Sequence, residues 1–183
     1  MKYDINESIA ILERTPAVLH SLLSGLPGCW TQATEGGESW SAYDILGHLI
    51  HGERTDWVQR TQHILEHGES KPFEPFDRFA QFADSQDKSL DQLLDEFTEL
   101  RAANIASLRK IAISEEQLPL KGSHPALGTV TLSQLLASWT VHDLGHIYQM
   151  VRTMAAQYKA EVGPWVEYLR VLQESGTGGQ PRG

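Results

Sequence analysis

Apolar residues recur at three- and four-residue intervals in four stretches of the chain, the spacing that lines one face of a helix. The first covers residues 4–26, where Ile5, Ile9, Leu12, Leu19, Leu23 and Leu26 keep the rhythm. Pro16 interrupts it. Proline lacks an N–H and its ring clashes with the preceding turn, so a kink or restart is expected near Thr15-Pro16. "LPG" at 26–28 ends the stretch. The second should begin at Ser41, because "SAYD" sets Asp44 three residues after a hydroxyl cap, and it should run to about His67. The third opens with "SLDQ" at 89–92 and carries Leu90, Leu93, Leu94, Phe97, Leu100, Leu108 and Ile111, with acidic residues early and Arg109 and Lys110 late, as the helix dipole favours. The fourth opens with "TLSQ" at 131–134 and should continue to about Tyr158. "VGPW" then breaks the chain, and Pro164 suits the first position of a short closing helix through Leu172.

The stretches between these segments lack strong strand alternation, so the fold class is all-α. Four amphipathic helices of about 20–28 residues make a four-helix bundle the economical architecture. The connection over residues 68–88 is long enough to cross the end of the bundle, which gives an up-down-down-up path. A length of 183 residues fits one domain, placed here at 1–173, with 174–183 as a flexible tail.

Composition narrows the function classes. The chain is 40% hydrophobic with five tryptophans, enough for a packed core. Its 15 Lys+Arg stand against 24 Asp+Glu, a net charge of −9, and no basic run gathers on one helix face, so it lacks the electrostatic footprint of a nucleic-acid binder. Apolar runs fall far short of the roughly 20 residues of a membrane span. "MKYDINESIA" has no signal-like apolar stretch, which makes the cytoplasm the expected location. The lone Cys29, in a predicted turn, can form no internal disulfide, and nothing near it indicates a lowered pKa.

The candidate chemistry lies in "WTVHDLGHIYQ", residues 139–149. Positions four apart on a helix differ by only about 40° in direction, so His142 and His146 point the same way, on a face shared with Leu135, Trp139 and Met150. A buried imidazole needs partners for its ring nitrogens, and a metal ion is one such partner. Helix two supplies a third ring in "DILGHLIHGERTDW", where His48 shares a core-facing side with Ile45 and Gly52. Three imidazoles from two helices match the arrangement that leaves a metal position open for water or substrate. In the HExxH pattern of zinc proteases a glutamate serves as general base, but here the corresponding residue is the shorter Asp143, read as a carboxylate orienting an imidazole or lying on the helix surface.

"WSAYDILGHLIHGE", "GTVTLSQLLASWTVHDLGHIYQMVRTMAAQY" and the trailing "VGPW" together resemble the DinB-like superfamily, in particular its stress-inducible, metal-binding four-helix branch. The resemblance extends through Leu172. Its specific part is a histidine in the GHL of helix two and the HDxxH of helix four, here His48, His142 and His146. It implies an up-down-down-up bundle, a homodimer, and one divalent metal such as zinc, nickel, iron or manganese. Characterised members of that family include transferases using low-molecular-weight thiols. The sequence therefore suggests a metal-dependent thiol S-transferase acting on a small-molecule substrate; a metal-dependent hydrolase and a non-catalytic metal- or ligand-binding protein stay open as alternatives.

Other residues near the trio carry alternatives. His51 and Glu53 fit a proton shuttle or an orienting partner of an imidazole, and a solvated face explains Glu53 equally well. Phe73, Phe76, Phe79 and Phe82 stand at strict three-residue intervals in "KPFEPFDRFAQFADSQ", as a lid or wall for an apolar substrate or as anchors of the long connection. Trp40 and Trp57 read as core. His20, His63, His67 and His124 fall on predicted surfaces or loops.

Overall fold

The computed structural model describes residues 2–173; the tail anticipated at 174–183 lies outside them. The first segment forms two helices, α1 (Ile5–Leu12) and α2 (Thr15–Leu23), with Pro16 in the first turn of α2. The short α3 (Gly28–Thr31) follows and holds Cys29 on the surface, where a turn was expected. The second segment is α4 (Ala42–Thr55) and α5 (Trp57–His67), the connection contains α6 (Ala80–Ser85), and the third segment is α7 (Leu90–Ile111). A hairpin of β1 (Lys121–His124) and β2 (Gly128–Thr131) leads into α8 (Leu132–Ala156). Instead of one closing helix, a 3-10 turn at Gly163–Tyr168 precedes α9 (Arg170–Gln173).

The caps read from sequence are made. Ser41 with Asp44, Ser89 with Gln92 and Thr131 with Gln134 each form a reciprocal capping box, which fixes where α4, α7 and α8 begin.

Contacts between the segments give the path. Arg109 pairs with Glu13, while Leu19 and Leu23 share a cluster with Leu93, Leu94 and Phe97, so α7 runs against α1 and α2. Tyr43 bonds the carbonyl of Lys88 and Asn104 bonds Glu53, so α4 and α7 run the same way. His48 meets His142 while Trp57 stacks on Trp139, so α8 returns against them. The order is up, down, down, up. Two apolar clusters fill the interior. One surrounds Leu12, Ile105, Leu136 and Trp139, and the other surrounds Leu19, Ile45, Phe97 and Met150.

Two departures from the sequence reading matter for the site. The second segment is broken at Asp56, because side chains occupy carbonyls at that turn: Asn104 Nδ2 donates to Glu53 O at 2.7 Å, Gln59 Nε2 to Arg54 O at 2.6 Å, and Thr55 Oγ1 to His51 O at 2.8 Å. Insertion into the helical ladder is a standard cause of a break. The hairpin is the second departure from an all-helical chain. Each strand has four residues, too few to show alternation. Gly122 is required there, since a Cβ would lie 2.7 Å from Ile64 Cγ1 and 3.0 Å from Phe73 Cζ. Phe73 N donates to Ser123 O at 2.9 Å, so the hairpin pins the start of the long connection. Farther along, α6 lies so close to α4 that a Cβ on Gly47 would meet Ser85 Oγ at 2.5 Å.

Candidate metal centre

The α4 and α8 helices place His48, His142 and His146 at one point. His142 Nε2 lies 3.1 Å from His48 Nε2 and 3.1 Å from His146 Nε2, and one ligand atom from each ring falls within a 4.8 Å cluster. Imidazole binds first-row divalent ions at about 2.0–2.1 Å, so two donors subtending roughly 90–110° at an ion stand about 2.9–3.4 Å apart. The two separations through His142 fall in that range, and the His48–His146 pair closes the cluster within 4.8 Å. His146 is oriented from behind, with its Nδ1 2.9 Å from Gln149 Oε1, which puts the ring proton on Nδ1 and leaves Nε2 bare toward the cluster. His142 Nε2 faces both other Nε2 atoms, and a single ring hydrogen cannot serve both lines. Lone pairs thus outnumber protons at the centre, a donor set suited to a cation.

Electrostatics hold these rings neutral. Burial, reinforced by His146, His51 and Arg78, pushes the His48 pKa down to about 3. Burial, with His146, His48 and Arg101 as neighbours, drives His142 well below the ordinary histidine range. His146 is lowered by burial against partial opposition from its bond to Gln149 and from Asp143. Neutral imidazole is the form that ligates.

Aromatic rings wall the cluster. Trp40, half-buried and not a full core residue, lies 5.1 Å from the His48 ring centre, and Phe76 lies 5.6 Å from His48 and 5.0 Å from His51. Trp57 is in the core as expected, yet its ring also stands 5.1 Å from His142. The four phenylalanines of the connection divide the two roles considered for them. Phe73 is buried as an anchor, Phe76 and Phe82 reach the site wall directly or through Trp40, and Phe79 is exposed. His51 stays outside the converging trio, buried, with Nδ1 3.6 Å from Asp84 Oδ2. His20 and His67 are exposed, and His63 and His124 bond local backbone far from the trio.

Beneath the rings lies a second polar cluster. Glu53 and Asp143 are 1% and 0% exposed, which removes the solvated-face reading of both. Both carboxylates meet Arg101, itself 1% exposed: its Nη1 and Nη2 donate to the two Asp143 oxygens at 2.6 and 3.0 Å, and Nη2 also donates to Glu53 Oε1 at 2.8 Å. Trp139 Nε1 and Asn104 Nδ2 complete Glu53, each at 3.0 Å. Arg101 Nη1 further donates to Leu12 O at 2.8 Å. That carbonyl is available because the residue four positions on is Pro16, which has no N–H to return. With both oxygens held by a guanidinium, Asp143 is not placed to act as a protease-type base.

Arg101, Asn104 and Gln149 escaped the sequence reading. Arg101 left a signal, since it falls between Phe97 and Ile105 on the buried stripe of α7, where a charge demands an explanation.

Comparison with known proteins agrees with this architecture. A family model described as the DinB superfamily matches residues 11–150. Among solved structures, the chain is similar to one described as "YfiT from Bacillus subtilis is a probable metal-dependent hydrolase with an unusual four-helix bundle topology", with 20% identity over 88% of this chain and 90% of that one and a TM-score of 0.71. No curated protein sequence matches significantly. The family match spans most of the chain and includes His48, His142 and His146, and on that ground this protein belongs to the DinB superfamily.

Proposed function

We propose that the protein holds one divalent transition ion on His48, His142 and His146 and is a metal-dependent enzyme, of the thiol S-transferase type. The observation that carries this reading is the count of ligands. Three imidazole nitrogens converge, and among the described residues no fourth histidine, cysteine or carboxylate joins them. Three protein ligands are the pattern of catalytic sites, whereas structural sites are closed by four. Zinc, nickel, iron and manganese all suit this role, with imidazole favouring the first three.

An ion in that position supplies Lewis acidity, lowering the pKa of a thiol or water so that a nucleophile exists at neutral pH. The chain's own residues do the rest. Gln149 fixes the His146 tautomer, and burial keeps His48 and His142 unprotonated. Trp40, Phe76 and Phe82 offer apolar surface to a small electrophilic substrate and restrict water around it. His51, three residues from His48 and beside Asp84, is the group placed to carry a proton. A homodimer belongs to the same proposal, with Val141 and Leu144, exposed at 66% and 49% on α8, as apolar surface for a second copy.

Hydrolysis is the second reading, favoured by the likeness to the Bacillus subtilis protein described as a probable metal-dependent hydrolase. One experiment separates the two. Metal-loaded protein is given an electrophilic ester with and without a low-molecular-weight thiol. Thiol-dependent consumption that is lost in His142→Ala supports transfer; equal consumption without thiol supports hydrolysis. Absence of turnover across a panel of aryl and alkyl electrophiles, in protein that binds metal, would favour a non-catalytic role.

A further inference from the structure

The buried cluster beneath the histidines does not balance. One guanidinium, Arg101, faces two carboxylates, Glu53 and Asp143, and all three side chains are at most 2% exposed. Every oxygen is hydrogen-bonded: Glu53 by Arg101, Trp139 and Asn104, Asp143 by Arg101 at both positions. The carboxylate oxygens are therefore all satisfied, with Arg101 Nε the one cluster atom left without a partner, while the charge is not balanced. Buried charges are ordinarily paired, and one negative charge here has no cationic partner within the cluster.

A place for a cation adjoins the cluster at the histidine centre. Asp143 follows His142 in α8, and the Glu53 layer reaches His142 through Trp139, which stacks on Trp57 with ring centres 5.7 Å apart, and Trp57 in turn lies 5.1 Å from His142. We propose that Glu53, Arg101 and Asp143 form a countercharge for the bound ion, with Glu53 and Asp143 acting as positioning residues that raise affinity for a divalent cation without ligating it. Arg101 holds both carboxylates in place and limits the excess to one. The proline kink contributes as well, because the Leu12 carbonyl it frees anchors Arg101 Nη1.

This inference rests on the metal-site reading and is tested apart from it. Zinc and cobalt affinities are measured by competition with a chelator of known affinity for the parent protein, Glu53→Gln and Asp143→Asn, alongside thermal unfolding of each metal-free form. Trp139→Phe serves as the control that removes a neutral bond to Glu53 and no charge. Partners behind metal ligands typically change affinity 10–100-fold, and that weakening is expected in both carboxylate variants, with Trp139→Phe within about threefold of the parent. A merely structural cluster would instead lower the unfolding temperature of the metal-free variants and leave affinity unchanged. Affinities within twofold of the parent in Glu53→Gln and Asp143→Asn would overturn the proposal. So would failure of both to fold without metal, because each removes the unbalanced charge from the metal-free state. If the parent itself binds neither ion, the metal-site reading falls first.

Discussion

Two polar clusters sit against each other in this bundle, one fully buried and one half-buried, and they are satisfied in opposite ways. The Glu53–Arg101–Asp143 cluster closes on itself, with every carboxylate oxygen accepting from a protein donor. The His48–His142–His146 cluster turns its acceptor nitrogens toward one another and finds few donors. A buried acceptor without a donor costs about 1–3 kcal/mol, so a fold keeps such a group when something else completes it. The closed cluster joins three helices to the carbonyl of a fourth element; the open one is placed to receive a ligand.

The contrast breaks most visibly at its closed half. Arg101→Met leaves two carboxylates buried without their partner, and equilibrium denaturation should show a loss of about 3–5 kcal/mol. A loss under about 1 kcal/mol would mean that the cluster does not hold the bundle together. Acid probes the open half. The His48 and His142 pKa values are below their unfolded value of about 6.5, so the unfolded chain binds more protons beneath that pH. The stability they contribute is present above about pH 6.5 and is lost as the pH falls through that point toward the His48 value of about 3. Denaturation midpoints of metal-free protein should fall over this window, and a Leu substitution at His48 should flatten the slope. A slope unchanged in that variant would show that the imidazole is not held neutral. Smaller effects come from the support of one imidazole. Gln149→Ala frees the His146 ring, and chelator competition should record metal affinity about 10-fold lower with unfolding temperature little changed. An unaltered affinity would make the contact incidental.

The comparison also shows what a sequence carries. The caps of α4, α7 and α8 were legible because Ser41–Asp44, Ser89–Gln92 and Thr131–Gln134 are each complete within four residues. The histidine trio was legible because His142 and His146 share a helical face and His48 falls on a core-facing one. The closed cluster was not. Glu53 and Asp143 meet Arg101 across separations of 48 and 42 residues, and a lone carboxylate on a helix reads equally well as solvated. The break at Asp56 was hidden for the same reason, since Asn104 of another helix takes the Glu53 carbonyl. The two strands of the hairpin were too short to leave a period. Arg101 could have been found, because its place on the stripe of Leu94, Phe97, Ile105 and Leu108 is local information.

The central claim is that three neutral imidazoles from two helices grip one divalent ion and leave a coordination position open. Cobalt titration of metal-free protein, followed by visible absorption, tests it most directly, because the ligand-field bands report both stoichiometry and coordination. The account predicts saturation at one ion per chain, bands that shift when a thiol is added, and no saturable signal in His142→Ala. A parent protein with no saturable cobalt signal, or an equal signal in His142→Ala, would contradict it.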